Sequence, residues 1–521
     1  MALAKYFSKN LLAINRLVNT SPDFLSEKLN KIVISIAFDE NALSTYEGQC
    51  SIDMLIRLMA RFYPQLSFVD LSRKNESRKN EFEKLAKSIN ANIELLDESI
   101  VPAVSIVVGY TTKLDEIKGQ RIFIGSNNWI SKYSMTKIQD YSEHKNPFGA
   151  GVASCVAASN VFRIVFSDIL QYENVDNEFL LSTFSLTEEL EDNNPLISSL
   201  EFDDLMIVGV GAIGNGTIWA LSKIQDVKGE IHLIDNETVS LSNLQRYILF
   251  DEDNENMDKV ELAAGRFEQL GLSIQPFKGT WAEYVNNRQT WDFNCLAVAI
   301  DNEKDRISIQ SSLPRYIFNA FTEPQSIGIS RHKDFVNDPC LACSYIPTKQ
   351  RKSYIHEVAD NCNISQHSEM VKDYYNLRKT VDDIWPPKYN ESLLMVIANA
   401  NRIAIEDLNH FKGMQIQQFY SSFVCGGVVL TLSQVDNNIQ NVDAPLAFQS
   451  ALAGILLAAE IVKHFNFPQL KQQAKTDFYH LGSIQKGLNP YHRTMAKDTT
   501  NRCFCRDEDF IRRFYTKWKT D

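Results

Sequence analysis

Leu205–Lys259 reads LMIVGVGAIGNGTIWALSKIQDVKGEIHLIDNETVSLSNLQRYILFDEDNENMDK, and this stretch decides the fold. An apolar run ends in the turn Gly209-Val210-Gly211-Ala212-Ile213-Gly214, continues as a small-residue helix and returns as IHLID, closing on Asp235. The order strand, Gly-rich turn, helix, strand predicts a βαβ nucleotide-binding unit. Gly209 permits the tight turn and Gly211 lets the backbone approach a phosphate. Gly214 lets the helix pack close to the strand, and the helix N-terminus offers free N–H groups to an anion. Asp235 lies 26 residues past Gly209, near the spacing at which a strand-end carboxylate meets ribose hydroxyls. The competing reading is a Gly-rich turn with a purely structural task.

The residues beyond Asp235 move the expected chemistry from redox to phosphate activation. Ser242-Asn243-Leu244-Gln245-Arg246 places an amide and a guanidinium beyond the ribose-binding strand, and Lys259 opens a new helix. A further apolar run, CLAVAID, ends at Asp301 and is followed by Asn302 and Arg306. Cations reaching toward phosphates, with a strand-end carboxylate able to hold Mg²⁺, suit a nucleoside triphosphate better than a nicotinamide dinucleotide. Taken singly, Arg246 and Lys259 would read as surface charge.

These residues resemble the superfamily of ThiF-like adenylating enzymes, which includes ubiquitin-activating enzymes and the sulfur-carrier adenylyltransferases. The superfamily pattern is GxGxxG, then DxDxVxxSNLNRQ, a helical Lys, and a strand-end Asp followed by Asn. This chain offers GVGAIG, DNETVSLSNLQRYILF, Lys259 and Asp301-Asn302. Glu237 replaces the second Asp, Gln245 replaces Asn and Tyr247 replaces Gln, and none of these removes a charge that the chemistry needs.

The chain has 521 residues, enough for two or more domains, with 44% hydrophobic and 23% charged residues, as in ordinary α/β proteins. A net charge of −12 argues against nucleic acid as the main partner. MALAKYFSKN lacks an apolar leader core, and the longest apolar run read as helix, ALAGILLAAEIV, is too short for a bilayer and carries Glu460. A cytoplasmic enzyme without a membrane partner is expected. Nine cysteines, an odd number in a large chain, fit reduced thiols, metal ligands or a nucleophile better than a disulfide framework.

Residues 1–175 read as another doubly wound α/β unit. KIVISIAF, SIDMLIRLMARF, LSFVDL, NEFEKLAKSI, AVSIVVGY and RIFIG alternate as strands and helices, but FDENALSTYEGQC stands where a phosphate loop would be. Its small-residue helix NPFGAGVASCVAASNVFRIVF is similar in kind to the later APLAFQSALAGILLAAEIVKHF. The resemblance therefore implies an inactive adenylation-like domain fused ahead of an active one, and the competing reading is an unrelated α/β domain. The expected architecture is two Rossmann-like units: 1–175 inactive, 176–200 a linker, 201–335 the active ATP-binding domain. A crossover and catalytic-cysteine segment would occupy 336–430, and a closing helix, strand and zinc-binding tail 431–521. AKYFSKNLLAI is similar to the superfamily's opening YxRQLLL, with Lys9 where an Arg would reach the phosphates.

Cys340 and Cys343 form a C-x-x-C, and Cys503 and Cys505 a C-x-C. Four thiolates in two pairs can hold a tetrahedral structural Zn²⁺, and adenylating enzymes of this superfamily often carry such a site. The C-x-C geometry leaves His492 as a substitute ligand. For a nucleophile, Cys425 in SFVCGGVVLT is similar in placement to the reactive Cys of sulfur-carrier enzymes. Cys362, near His367, lies closer to where ubiquitin-activating enzymes place theirs. The apolar flank of Cys425 argues against it, because buried cysteines are usually inert. Cys155 and Cys295 read as core, and Cys50 is unassigned.

The resemblance implies adenylation of the C-terminal carboxylate of a ubiquitin-like protein. Arg246 and Lys259 would face the phosphates, Asp301 the Mg²⁺, Asp235 the ribose and Asn243 the nucleotide or phosphate. A thioester on Cys425 or Cys362 would then pass the partner to a ubiquitin-conjugating-type enzyme. The pattern is most similar to activating enzymes of bacterial ubiquitin-like conjugation systems, some of which act in antiviral defence. Alternatives are an adenylyltransferase of a sulfur-carrier protein or peptide without thioester, a non-catalytic nucleotide-binding scaffold, and a dinucleotide oxidoreductase. A pseudo-dimeric monomer and a homodimer both stay open.

Overall fold

The computed structural model describes residues 22–170, 175–187, 195–323, 326–346, 354–384, 388–401, 403–420, 446–468, 477–481 and 490–518. The chain divides into two compact units, Met1–Ile346 with Pro445–Asp521, and Pro347–Ala444.

The larger unit holds two sheets. The first contains β1 (Val33–Phe38), β2 (Gln65–Asp70), β3 (Glu94–Leu95), β4 (Val104–Val108), β5 (Gln120–Asn127), β6 (Ile130–Ser134) and β7 (Glu178–Ser182). Its helices include α1 (Tyr46–Phe62), α2 (Glu76–Ile89) and α3 (Pro147–Val165). β1 and β4 are buried at every residue, as expected of central parallel strands covered on both faces. Thr45 caps α1 by accepting the Gly48 N–H at 3.3 Å. Asn146 caps α3, with Pro147 in the first turn, where its missing N–H costs nothing.

The second sheet contains β8 (Leu200–Val208), β9 (Val227–Asp235), β10 (Gly271–Lys278), β11 (Cys295–Val298), β12 (Tyr316–Glu323), β13 (Ser326–His332), β14 (Asp477–Leu481) and β15 (Pro490–Thr494). Its helices include α4 (Ala212–Ser222), α5 (Lys259–Ala264), α6 (Glu303–Ser311), α7 (Ala447–Asn466) and α8 (Glu508–Trp518).

The two sheets share one topology. The first runs β3-β2-β1-β4-β5-β6-β7 and the second β10-β9-β8-β11-β12-β13-β14, with β15 added at the edge. In each, the first five strands in this order are parallel and the later ones antiparallel. In each, a long apolar helix, α3 or α7, lies in sequence between the sixth and seventh strands. The smaller unit is inserted in the second half, between β13 and α7.

The small residues of these helices let the halves approach. A Cβ on Gly151 of α3 would stand 2.8 Å from Trp219 of α4 and 2.9 Å from Ile455 of α7. One on Gly454 would stand 2.2 Å from the Ile213 carbonyl, and Thr217 Oγ1 donates to the Gly454 carbonyl at 3.1 Å. Two expectations change here. The apolar helix α7 has 20 residues, long enough for a bilayer, as is α3, but 94% of the apolar window of each is buried inside the protein. The expected linker 176–200 contributes β7, hydrogen-bonded to β6, because Phe179 and Leu181 are apolar enough to close that sheet edge.

The smaller unit, 347–444, is wider than the expected crossover at its C-terminal end. Its described helices Tyr354–Asn361, Ser368–Asn376 and Leu393–Ala400 pack around Val358, Cys362, Met370, Tyr374, Leu394 and Ile397.

Candidate nucleotide-binding site

The Gly-rich turn stands at the C-terminal ends of β8, β9 and β11. Gly209 has φ +97°, and a Cβ there would meet the Ala299 carbonyl at 2.6 Å. Gly214 packs its Cα against the turn, because a Cβ would lie 2.2 Å from the Gly209 carbonyl. Gly211, the N-cap of α4, is different: a Cβ there would have only the Tyr247 hydroxyl within 4 Å among the described residues, at 3.6 Å. Gly209 and Gly214 are therefore needed for the protein's own packing, whereas Gly211 faces open space at a helix N-terminus, where phosphates are favoured.

Asp235 fastens this turn to β9. One carboxylate oxygen accepts the Val210 N–H at 2.7 Å and the other the Glu237 N–H at 2.9 Å. Burial raises its pKa against the opposing influence of Lys259 and the two N–H bonds. An ionised carboxylate offers about four acceptor positions, so it retains capacity for hydroxyl donors.

Lys259 opens α5 and is 1% exposed. Its ammonium donates to the Tyr247 hydroxyl at 3.0 Å and to the Glu237 carboxylate. Burial works against its charge, but Tyr247, Asp235 and Glu237 outweigh it and raise the pKa, so Lys259 is a cation at neutral pH. Tyr247 and Glu237 are two of the three departures from the superfamily pattern, and both hold the buried Lys. The third, Gln245, is buried with its amide oxygen unpartnered among the described residues.

Asn243 closes a one-turn helix, its side-chain oxygen accepting from Ser240 Oγ at 2.8 Å. Arg246 follows, half-buried, with its Nε enclosed and unpartnered among the described residues. Asp301 is exposed beyond the end of β11. Burial raises the pKa of Asp305, and the neighbouring Asp301 charge adds to the effect. Asn302 caps α6 through the Lys304 N–H at 2.8 Å, while Arg306 is buried and donates to the Ala320 carbonyl at 3.3 Å, which is a structural task.

A match to the ThiF family spans residues 194–480, more than half of the chain. The chain belongs to the ThiF family. Its N-terminal half matches a second family, described as Prokaryotic E2 family C, over residues 37–167. Protein y4jF of Sinorhizobium fredii is 34% identical over 524 residues, covering 99% of this chain and 98% of that one. The molybdopterin-synthase adenylyltransferase of Haemophilus influenzae is 38% identical over 96 residues, 17% of this chain and 39% of that enzyme. Among solved structures, E. coli MccB with ATP is 14% identical with a TM-score of 0.34, covering 73% of this chain and 96% of that one. The ThiF family's adenylyltransferase chemistry makes this an ATP-using, nucleotide-binding enzyme of that type.

Four cysteines converge in the same unit. Cys340 Sγ lies 3.3 Å from Cys503 Sγ and 4.0 Å from Cys343 Sγ, and Cys343 Sγ lies 3.4 Å from Cys505 Sγ. A tetrahedron with Zn–S of about 2.3 Å has S···S edges of about 3.8 Å, so the donor set has the chemistry and nearly the dimensions of a metal site. The C-x-C pair serves as well as a C-x-x-C because the turn of Phe504–Arg506 folds both thiols inward. His492 lies on β15, opposite Tyr479.

Cys362 is fully buried in the apolar core of the smaller unit. A nucleophilic thiolate needs exposure and a positive field, and this position gives no exposure. His367, in a one-turn helix shortly after the Asn363-Ile364 turn, does not change that. Cys425 and Lys9 lie outside the described residues. Cys50, Cys155 and Cys295 are all buried.

The sequence alone does not reveal how the loop carrying Arg246 is held. Arg61 of α1 donates to the Leu244 and Phe250 carbonyls at 3.2 and 2.7 Å, and Arg57 to the Ile248 carbonyl at 3.1 Å. Arg266 donates to the Leu249 carbonyl, and Asn215 of α4 accepts the Leu249 N–H at 3.1 Å. The spacing Asp53, Arg57, Arg61 along one helix face is the available signal.

Proposed function

We propose that this protein adenylates the C-terminal carboxylate of a ubiquitin-like protein and passes it, as a thioester on Cys425, to a conjugating-type enzyme. The observation that carries the adenylation is the buried Lys259–Tyr247 pair beside Gly211, with Asp235 tying the same turn to the ribose-binding strand. The carboxylate oxygen attacks the α-phosphorus of ATP, the bond to the β-phosphate oxygen breaks, and pyrophosphate leaves. Negative charge grows on the leaving and non-bridging oxygens. Lys259, Arg246 and the α4 N-terminus are preorganised to meet it, which is electrostatic stabilisation rather than acid–base work. Asp301, with Asp305 beside it, offers hard oxygen ligands suited to Mg²⁺. In the second step the Cys425 thiolate attacks the acyl carbon and AMP departs. Cys425 takes this role because the other candidate, Cys362, is packed in a core.

The N-terminal half is proposed to be an inactive copy of the adenylation domain, supported by its shared strand order and by the absence of a Gly-rich loop after β1. Its match to a conjugating-enzyme family does not bring a usable thiol. The cysteines in 37–167 are Cys50 and Cys155, both buried, and burial pushes the Cys50 thiol up to about 12. The four-cysteine cluster is proposed to hold structural Zn²⁺, stapling the tail that carries Cys503 and Cys505 to the turn after β13.

The test is ATP–pyrophosphate exchange with Mg²⁺ and a ubiquitin-like protein ending in Gly. Exchange that requires the partner supports the reading. Adenylation of a sulfur carrier or peptide without a thioester would show the same exchange and no thiol-sensitive adduct.

A further inference from the structure

The loop Leu244–Phe250 has little regular structure of its own, yet it carries Arg246 and Tyr247. A segment with so many free carbonyls must find donors when buried. Here the donors are guanidinium groups, and two of the three come from the N-terminal half. Arg61, 1% exposed, spans the loop by reaching the carbonyls at both its ends, Leu244 and Phe250. Arg57 reaches Ile248 between them.

Arg57 is itself fixed. Asp53, one turn before Arg57 on α1, takes two bonds from its guanidinium at 3.0 and 3.2 Å. The same carboxylate accepts the Trp219 indole N–H at 2.6 Å and lies 3.8 Å from Lys223. Trp219 belongs to α4, the helix whose N-terminus closes the Gly-rich turn. One face of α1 thus grips both parts of the site, the helix under the phosphates and the loop beside them.

We propose that Arg57 and Arg61 are positioning residues for Arg246 and Tyr247, so that the half without a phosphate loop sets the catalytic rate of the half that has one. The inference rests on the adenylation reading for its rate consequence, and on the geometry alone for the ordering of the loop. Arg61 reaches the two carbonyls from two different nitrogens of one rigid plane, whereas a lysine would have to reach both from a single nitrogen. Lysine at position 61 keeps the charge and loses the bridge.

The experiment uses the full chain with Arg61→Lys and, separately, Arg57→Gln, the latter at a partly exposed side chain that leaves Arg61 in place. Native-state trypsin digestion is followed at the Arg246–Tyr247 bond by mass spectrometry. The parent resists cleavage there. Both variants are cut at least ~10-fold faster at that bond, as expected of local opening, with unchanged cleavage elsewhere and a cooperative melt. Their pyrophosphate-exchange kcat falls on the order of 10²-fold, the size expected for a misplaced catalytic group, while KM for ATP changes little. Cleavage at Arg246 and kcat both equal to the parent would overturn the proposal. A drop in exchange that merely tracks the unfolded fraction, without selective cleavage, would overturn it too. If the parent catalyses no exchange, the adenylation reading falls by itself, and cleavage at Arg246 alone decides whether α1 orders the loop. Should Arg61→Lys fail to fold, Arg57→Gln carries the same comparison.

Discussion

Lys259 donates to the Tyr247 hydroxyl at 3.0 Å, and that hydroxyl is, among the described residues, the sole group within 4 Å of where a Gly211 Cβ would stand. The cation, the phenol and the backbone turn therefore meet at one place, at the N-terminus of α4. Lys259→Met should keep the fold, since a thioether of similar length fills the same buried space, and lower pyrophosphate exchange by about 10²–10³ in kcat. A variant with near-parental exchange would remove Lys259 from the phosphate site.

The glycines of the turn separate binding from folding. Gly214→Ala places a methyl 2.2 Å from the Gly209 carbonyl and should cost about 1–3 kcal/mol of stability, read as a lower Tm. Gly211→Ala meets only ordinary contact with Tyr247 and should leave Tm close to that of the parent while raising KM for ATP. Equal losses of Tm in the two variants would contradict this division.

The cysteine cluster gives a metal prediction. The purified protein should contain one zinc per chain, and Cys505→Ser or a strong chelator should lower Tm, because the proposed ion would join the tail to the turn at Cys340 and structural zinc contributes directly to folding. A metal-free protein with an unchanged Tm would show that the thiols need no ion.

Glu47 supplies a pH dependence. It is fully buried on α1, accepts from the Asn128 N–H at 2.9 Å and the Ser142 hydroxyl at 2.7 Å, and burial pushes its carboxyl up to about 7 against those bonds. A folded pKa above the unfolded one contributes stability that is fully present below pH ~4.5 and lost as pH rises through about 7. Glu47→Gln should flatten the fall in Tm between those limits. An equally steep fall in the variant would assign it to other groups.

Much of the C-terminal half was legible because GVGAIG, the small-residue helix and the strand ending at Asp235 each report one local requirement of the same unit. The convergence of Cys340, Cys343, Cys503 and Cys505 was legible as well, since pairs separated by one or two residues bring sulfurs together through a single turn. The roles of Arg57 and Arg61 were not, because a charged stripe on a helix reads as solvated until a second half is seen lying on it. Cys362 misled for a related reason. A nearby His suggests activation along the chain, but the helices around it close into a core that excludes solvent. β7 was hidden inside an acidic stretch, where a run of three apolar residues, Phe179, Leu180 and Leu181, marked a strand.

The most direct test of the account is partner-dependent exchange of labelled pyrophosphate into ATP, run with the parent and with Lys259→Met. The account predicts exchange in the parent that requires both Mg²⁺ and a ubiquitin-like protein with a free C-terminal Gly, and that is lost in the variant. Tight nucleotide binding without exchange across a panel of such partners, or release of phosphate and ADP in place of pyrophosphate and AMP, would contradict it.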